Sequence, residues 1–274
     1  MQLSIGIHQS FDGLRNALVE AESNGFTAFQ MFIRNNRNMK SRTFLQHEFE
    51  EYNEKLSTSN ILDCVVHAPY AMNPASGSNE LRNRTIDMIH SDLNVLSKLD
   101  GRVHYVLHPG AYTDWDEDTG MSLLIDTLHK LQPYYRGVKI AVENMAGQGT
   151  TLISSLAQLG RLVSECKDIP EFEVCLDTCH LFGSGVTPEQ AVGMLNVFNA
   201  IDRLGVIHVN DSKCAFASFK DRHTNLGCGY IGSVVFEQAL LLHNFAPDAP
   251  VILETPEPGL LSDGYKLKEF LENK

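Results

Sequence analysis

Five of the chain's eleven histidines, with two Glu and two Asp, stand at the ends of short apolar runs or in loops rather than inside those runs. The segments are CVVHAPY around His67, YVLHPG around His108, IAVENMAGQG around Glu143, VCLDTCH with Asp177 and His180, VIHVNDSK around His208, DRH with Asp221 and His223, and ILETP around Glu254. Imidazole and carboxylate are the ligand types that catalytic sites use for zinc and similar ions. Six of the nine (His67, His108, Glu143, Asp177, His208 and Glu254) sit where a strand would end. Six ligands are too many for one tetrahedral ion, so the set predicts at least two metals with a carboxylate bridging them. His180 follows Asp177 by three residues across a predicted turn, and Asp221 and His223 stand two apart, so an extended loop points both the same way.

Any one of these residues alone has a structural explanation: a hydrogen-bonded histidine, or a rim charge. The argument rests on the whole set. The remaining histidines carry no such pattern. His47, His90, His129 and His243 fall on predicted helices, His104 falls inside a strand, and His8 ends the first strand, where it can line a site without binding metal.

Elements must exist to bring these positions together. Runs rich in β-branched and aromatic residues occur at 3–8, 26–32, 61–67, 102–108, 138–144, 172–177, 204–210 and 250–254. Segments with helical spacing separate them, among them one with Leu14, Ala17, Leu18 and Ala21 on one stripe, and others at 80–99, 121–131, 152–163, 188–201 and 233–242. Thr187-Pro188 has the form of a helix start. Eight strand–helix alternations predict an α/β fold, a parallel (β/α)8 TIM barrel, whose active site lies at the strands' carboxyl ends. The chain's 274 residues match the roughly 250 of such a barrel, and no linker composition interrupts 1–274, so a single domain is expected.

Composition narrows the remaining classes. At 43% hydrophobic and 20% charged, the chain can build a core and is not of disordered type. A formal charge of −12 argues against nucleic acid, but three bound divalent ions would add about six positive charges where a phosphate would lie. The six Cys include no CxxC pair, which predicts reduced, mostly buried thiols. The opening MQLSIGIHQS has no basic stretch followed by a long apolar one, and no apolar run approaches a membrane span, so a soluble, intracellular protein without a secretion signal is expected.

Taken in order, HAPY, HPG, ENMAGQG, LDTCHLFGSG, HVNDSK, DRHTNLGCGYIG and ILETP resemble the endonuclease IV family of apurinic/apyrimidinic (AP) endonucleases over nearly the whole chain. The resemblance implies a barrel with three zinc ions, with manganese an alternative at one site. It implies His67 and His108 on a first ion with Glu143 bridging. Glu143, Asp177, His208 and Glu254 would hold a second, and His180, Asp221 and His223 a third. The implied reaction is hydrolysis of the phosphodiester 5′ to an abasic site in double-stranded DNA, leaving a 3′-hydroxyl and a 5′-deoxyribose phosphate. Removal of 3′-blocking groups and a monomeric state are also implied. Glu254 and Glu143 are the implied catalytic carboxylates, and Arg37, Tyr70, Lys213 and Arg222 the implied DNA contacts. Arg34, near Arg37, reads as either a DNA contact or an ordinary solvated loop residue. The chain departs from the family's pattern at Met39, Ala217, Ser218 and Cys228 and in its opening HQSFDG, without losing a ligand. The alternatives are a metal-dependent sugar isomerase or epimerase of the same barrel fold, which the third ligand set disfavours, and a DNA-binding relic, which would be expected to lack a ligand.

Overall fold

The computed structural model describes residues 2–36 and 39–274. Eight parallel strands form the wall: β1 (Ile5–Ile7), β2 (Ala28–Met31), β3 (Asp63–His67), β4 (Arg102–Leu107), β5 (Lys139–Glu143), β6 (Phe172–Asp177), β7 (Leu204–His208) and β10 (Val251–Leu253). They pair in the order β1-β10-β7-β6-β5-β4-β3-β2. The ring is drawn together between β1 and β2 by a parallel bridge from His8 to Gln30 and a Thr27 N–H donated to the Ile5 carbonyl at 3.0 Å. Gly6 makes this approach possible, because a Cβ there would lie 1.9 Å from the Ala28 carbonyl oxygen. The strands are buried on both faces, as a sheet lined by helices outside and closed on itself inside requires.

The outer layer consists of α1 (Leu14–Ser23), α2 (Gln46–Leu56), α3 (Asn79–Leu96), α4 (Glu117–Leu131), α5 (Leu156–Glu165), α7 (Pro188–Val197), α8 (Val234–Phe245) and α9 (Leu260–Glu272). The stripe expected on the first helix is buried: Leu14, Ala17, Leu18 and Ala21. Thr187 caps α7 and forms a capping box with Gln190, with Pro188 in the first turn. Two local expectations change. The segment after Asp177, expected as a turn, is a short helix, α6 (Thr178–Ser184), because the Asp177 carboxylate accepts the His180 N–H at 2.8 Å and caps it. The helix expected from residue 152 begins at Leu156 because residues 150–153 are held in two directions. Leu152 donates its N–H to the Gly110 carbonyl, and Met145 donates to Ile153.

A two-residue period sets what fills the barrel. Ala28, Val65, Val106, Ala141, Cys175, Val206 and Ile252 form a buried cluster separate from the larger core between strands and helices. Two residues further along the same strands stand Gln30, His67, His108, Glu143, Asp177, His208 and Glu254. Two residues earlier, three strands carry Asp63, His104 and Glu173. The interior is thus a thin apolar layer between two polar ones.

The polar layer at the amino-terminal end is a closed network. His104 Nε2 lies 3.1 Å from Asp63 and its Nδ1 2.8 Å from Glu173, while Arg102 and the Ser4 hydroxyl both donate to Asp63. Burial by itself would lower the His104 pKa, but the Asp63 and Glu173 carboxylates outweigh it and push it up to about 9. The protonated ring therefore stabilises the fold fully below the imidazole's unfolded value of about 6.5, and that contribution is lost as pH rises through about 9. Urea midpoints of the wild type and His104→Gln should differ clearly near pH 6 and converge near pH 10. A gap of the same size at both values would show that the charge on His104 does not stabilise the barrel.

Candidate metal centre

The Glu143 carboxylate, with no exposed surface, is the meeting point of the carboxyl-terminal layer. His67 Nε2 and His108 Nε2 lie 3.1 and 3.2 Å from one of its oxygens, and His208 Nδ1 and His180 Nδ1 lie 3.1 and 3.2 Å from the other. Glu254 Oε2 is 3.5 Å from His208 Nδ1. On the far side, His180 Nε2 and His223 Nε2 each approach Asp221 at 3.3 Å, and His223 Nε2 is 3.8 Å from Asp177. All nine residues singled out in the sequence therefore meet in one connected cluster. Their ligand atoms fall into three groups within which every atom lies inside 4.8 Å of the others: His67, His108 and Glu143; Glu143, Asp177, His208 and Glu254; and His180, Asp221 and His223.

The imidazoles are pre-oriented. His67 Nδ1 faces the Ala68 carbonyl at 2.7 Å and His180 Nδ1 the Asn144 carbonyl at 2.9 Å, so each presents Nε2 inward. His208 is turned the other way, with Nε2 against Gln30 Oε1 at 2.8 Å and Nδ1 toward Glu143. A ring whose second nitrogen is held by a carbonyl or amide oxygen is the usual arrangement of a metal-ligating histidine. The buried Nε2 atoms of His180 and His223 have no hydrogen-bond partner, although carboxylate oxygens face them at 3.3 Å. Unpartnered ring nitrogens opposite carboxylates fit a shared cation.

Charge balance gives the same answer. Burial raises the Glu143 pKa, but the surrounding imidazoles, His208 foremost, hold it well below the ordinary carboxylate range. Glu254 is depressed in the same way, against its own burial, by His208 and His67. Burial lowers the pKa values of His180 and His208, yet neighbouring acidic groups carry both well above the usual imidazole value. A dense set of buried carboxylates demands positive charge, and protons on the rings or divalent ions in the gaps both supply it. His8 is different: burial pushes it down to about 4, and its ring packs on Phe32 with centroids 4.5 Å apart. It stays neutral and lines the centre, outside all three ligand groups.

Several residues that position the centre were not anticipated. Gln30 donates to Glu254 Oε1 at 2.5 Å while its oxygen holds His208. Asn210 donates to Asp177 at 2.6 Å and accepts the Glu254 N–H at 2.9 Å. Asn144 accepts the Asp177 N–H at 2.7 Å. Asp211 accepts the N–H groups of Ser212, Gly229 and Ile231 and so folds the connection after β7. That connection, expected as a long loop, contains a short antiparallel pair, β8 (Asp211–Ser212) and β9 (His223–Thr224), which fixes His223 next to the barrel mouth.

Three of the expected DNA contacts, Tyr70, Lys213 and Arg222, lie on connections at the strands' carboxyl ends. Tyr70 follows β3 and is 61% exposed. Lys213 and Arg222 are exposed and joined across the β8–β9 pair by a Lys213 N–H donated to the Arg222 carbonyl at 2.8 Å. Arg37 lies outside the described residues. The solvated-loop reading of nearby Arg34 is corrected: its guanidinium is buried, donates from Nε to both Asp92 oxygens at 2.6 and 2.8 Å, and reaches the Met39 and Met88 carbonyls. Tyr105 donates to the same carboxylate at 2.9 Å. A charge fully tied to an internal acid and two carbonyls is a brace for its loop. All six cysteines are free, four of them buried, and among the described residues no helix is long and apolar enough to cross a membrane.

The chain is similar to known proteins over nearly its whole length. A family model described as a xylose isomerase-like TIM barrel matches residues 18–272. A probable endonuclease 4 of Finegoldia magna is 34% identical over 274 residues, spanning 96% of this chain and 94% of the relative. A probable endonuclease 4 of Staphylococcus aureus is 33% identical over 263 residues, covering 93% and 88%. Among solved structures, endonuclease IV from Thermus thermophilus superposes with a TM-score of 0.81 at 28% identity, covering 99% of this chain and 100% of that one. A D-tagatose 3-epimerase-like protein reaches 0.74 at 20% identity, covering 99% and 96%, which is a likeness of fold.

Removing one partner of a buried ion pair leaves the other charge uncompensated. Arg34→Met should therefore destabilise the protein by about 3–5 kcal/mol, and Arg34→Met combined with Asp92→Leu should recover much of that loss. Equal stability of the single variant and the wild type in denaturant titration would rule out the bracing role.

Proposed function

Because the chain belongs to the endonuclease IV family of AP endonucleases, we propose that it is a metal-dependent AP endonuclease of DNA base-excision repair. It hydrolyses the phosphodiester 5′ to an abasic site, leaves a 3′-hydroxyl and a 5′-deoxyribose phosphate, and clears 3′-blocking groups. The observation that carries the metal dependence is the convergence of four imidazoles on the buried Glu143 carboxylate, which belongs to two of the three ligand groups.

In this reading His67, His108 and Glu143 would hold a first zinc ion, and Glu143 with Asp177, His208 and Glu254 a second. His180, Asp221 and His223 would hold a third, for which manganese is an alternative. Divalent ions there would supply neutralisation of the phosphodiester oxygens, acidification of water to near neutrality and stabilisation of the leaving oxygen. Glu254, fixed through its backbone N–H by Asn210 and through one oxygen by Gln30, orients the attacking water or takes its proton with the other oxygen. Gln30 and the carbonyls of Ala68 and Asn144 hold the imidazoles in the tautomers this work needs. Arg37 and Tyr70 contact the opened duplex at the lesion, and Lys213 and Arg222 hold backbone phosphates. The sugar isomerase or epimerase alternative shares the barrel and its strand-end Glu, Asp and His, and the third ligand group of His180, Asp221 and His223 weighs against it.

An end-labelled duplex with one tetrahydrofuran abasic analogue cannot break by β-elimination, so a nick in it reports hydrolysis. The zinc-loaded wild type should leave a 3′-hydroxyl at the analogue, and Glu254→Gln should lower the rate by at least about a hundredfold. A metal-replete wild type that leaves the duplex intact would overturn the assignment. Separately, Glu143→Gln should lower bound metal per chain measured by elemental analysis, since its oxygens face two ligand groups; undiminished metal content would remove the bridging role.

A further inference from the structure

The segment between β8 and β9 carries a feature that the metal centre does not use. Phe219 is 53% exposed and Phe216 50% exposed. The backbone at Ala217 and Phe219 is left-handed, with φ of 56° and 55°, a region disfavoured for residues with a Cβ. The turn is nonetheless well tied. Ala217 and Phe219 donate their N–H groups to the Phe182 and Gly183 carbonyls at 3.0 and 2.9 Å, occupying acceptors in the last turn of α6. One edge of the Phe219 ring rests on the Gly147 backbone, where a Cβ would come within 2.8 Å of Cδ1. The chain thus holds an aromatic ring in place and leaves about half of it facing water. α6 carries His180 in its first turn, and Asp221 lies two residues beyond Phe219, so the ring is rigidly linked to the metal centre.

Its surroundings indicate the partner. Lys213, Lys220 and Arg222 are exposed in the same segment, and the one carboxylate between residues 213 and 222 is Asp221, which faces His180 and His223. A fixed aromatic ring among cations, at the rim of a phosphodiester-cleaving centre, suits a base removed from its stack with its phosphates alongside. We propose that Phe219 is a stacking platform for a nucleobase displaced beside the lesion, with Lys213, Lys220 and Arg222 neutralising the adjoining phosphates. This inference rests on the reading of the protein as an AP endonuclease.

The test compares wild type, Phe219→Leu and Phe219→Tyr on the tetrahydrofuran duplex, with KM, kcat and bound zinc measured for each. Leucine keeps apolar bulk against Gly147 but has no aromatic face, whereas tyrosine keeps the face. The expected result is a KM about tenfold higher for Phe219→Leu, with kcat and zinc content retained and KM restored by Phe219→Tyr. A wild-type KM in Phe219→Leu overturns the inference and leaves the endonuclease reading intact. Joint loss of kcat and zinc in Phe219→Leu overturns it too, in favour of a packing role. Co-sedimentation of the wild type with anionic phospholipid vesicles, lost in Phe219→Leu while KM is unchanged, would point to a lipid surface and overturn it as well. A zinc-loaded wild type that neither binds nor cuts the duplex would overturn both readings.

Discussion

The interaction on which the rest of this molecule depends is the need of the Glu143 carboxylate for positive charge. It is sealed inside the barrel mouth with no exposed surface, among four imidazoles within 3.2 Å. An uncompensated carboxylate in that position would cost several kcal/mol. Every neighbouring group is arranged to meet that demand. Imidazoles deliver nitrogens to both oxygens, and carbonyl and amide oxygens fix the rings, while the further carboxylates Asp177, Glu254 and Asp221 add to the positive charge that the cluster requires. In the proposed reading, the same demand lets an acidic protein take an anionic polymer, because divalent ions held here would set the local charge in place of the surface average.

The second constraint is the two-residue period of the barrel strands. One layer of small apolar side chains, from Ala28 to Ile252, separates the candidate metal centre from the Asp63–His104–Glu173 network at the other end. The layers are coupled in sequence, because each strand that offers Ala, Val, Cys or Ile to the middle offers a polar side chain two positions later. A one-residue slip of any strand would send a ligand outward into the helical layer and an apolar residue into the centre. The close approach of β1 to β2 at Gly6 is the corresponding constraint on ring closure.

Around the centre, the loops are fixed by a small number of buried polar contacts. Arg34 and Asp92 tie the segment after β2 to α3, Asp211 gathers the N–H groups of Ser212, Gly229 and Ile231, and the carbonyls at the end of α6 hold the turn at Phe219. These contacts convert long polar connections into defined surfaces at the strands' carboxyl ends. Rim residues therefore keep their places relative to the ligands without belonging to regular elements, apart from the two-residue strands β8 and β9.

All nine ligand candidates were legible in the sequence because each is a His, Asp or Glu at a strand end or in a loop, and strand ends of a parallel barrel converge. The eight strands and their alternation with helices were legible for the same periodic reason. Gln30, Asn144 and Asn210 were not singled out. An amide near a strand end has many structural uses, and only the inward register, two residues beyond Ala28 in the case of Gln30, distinguishes it. Nor could the sequence say that Arg34 faces Asp92, 58 residues away, or that the segment after Asp177 winds into a helix on that same carboxylate. By itself the sequence determined which chemical groups are available and in what periodic order, since ligand type and strand period are local properties. Tertiary structure decided which of them share a charge, which nitrogen each ring presents and which aromatic is left facing water, because those depend on ångström-scale distances between strands and loops that only barrel closure sets.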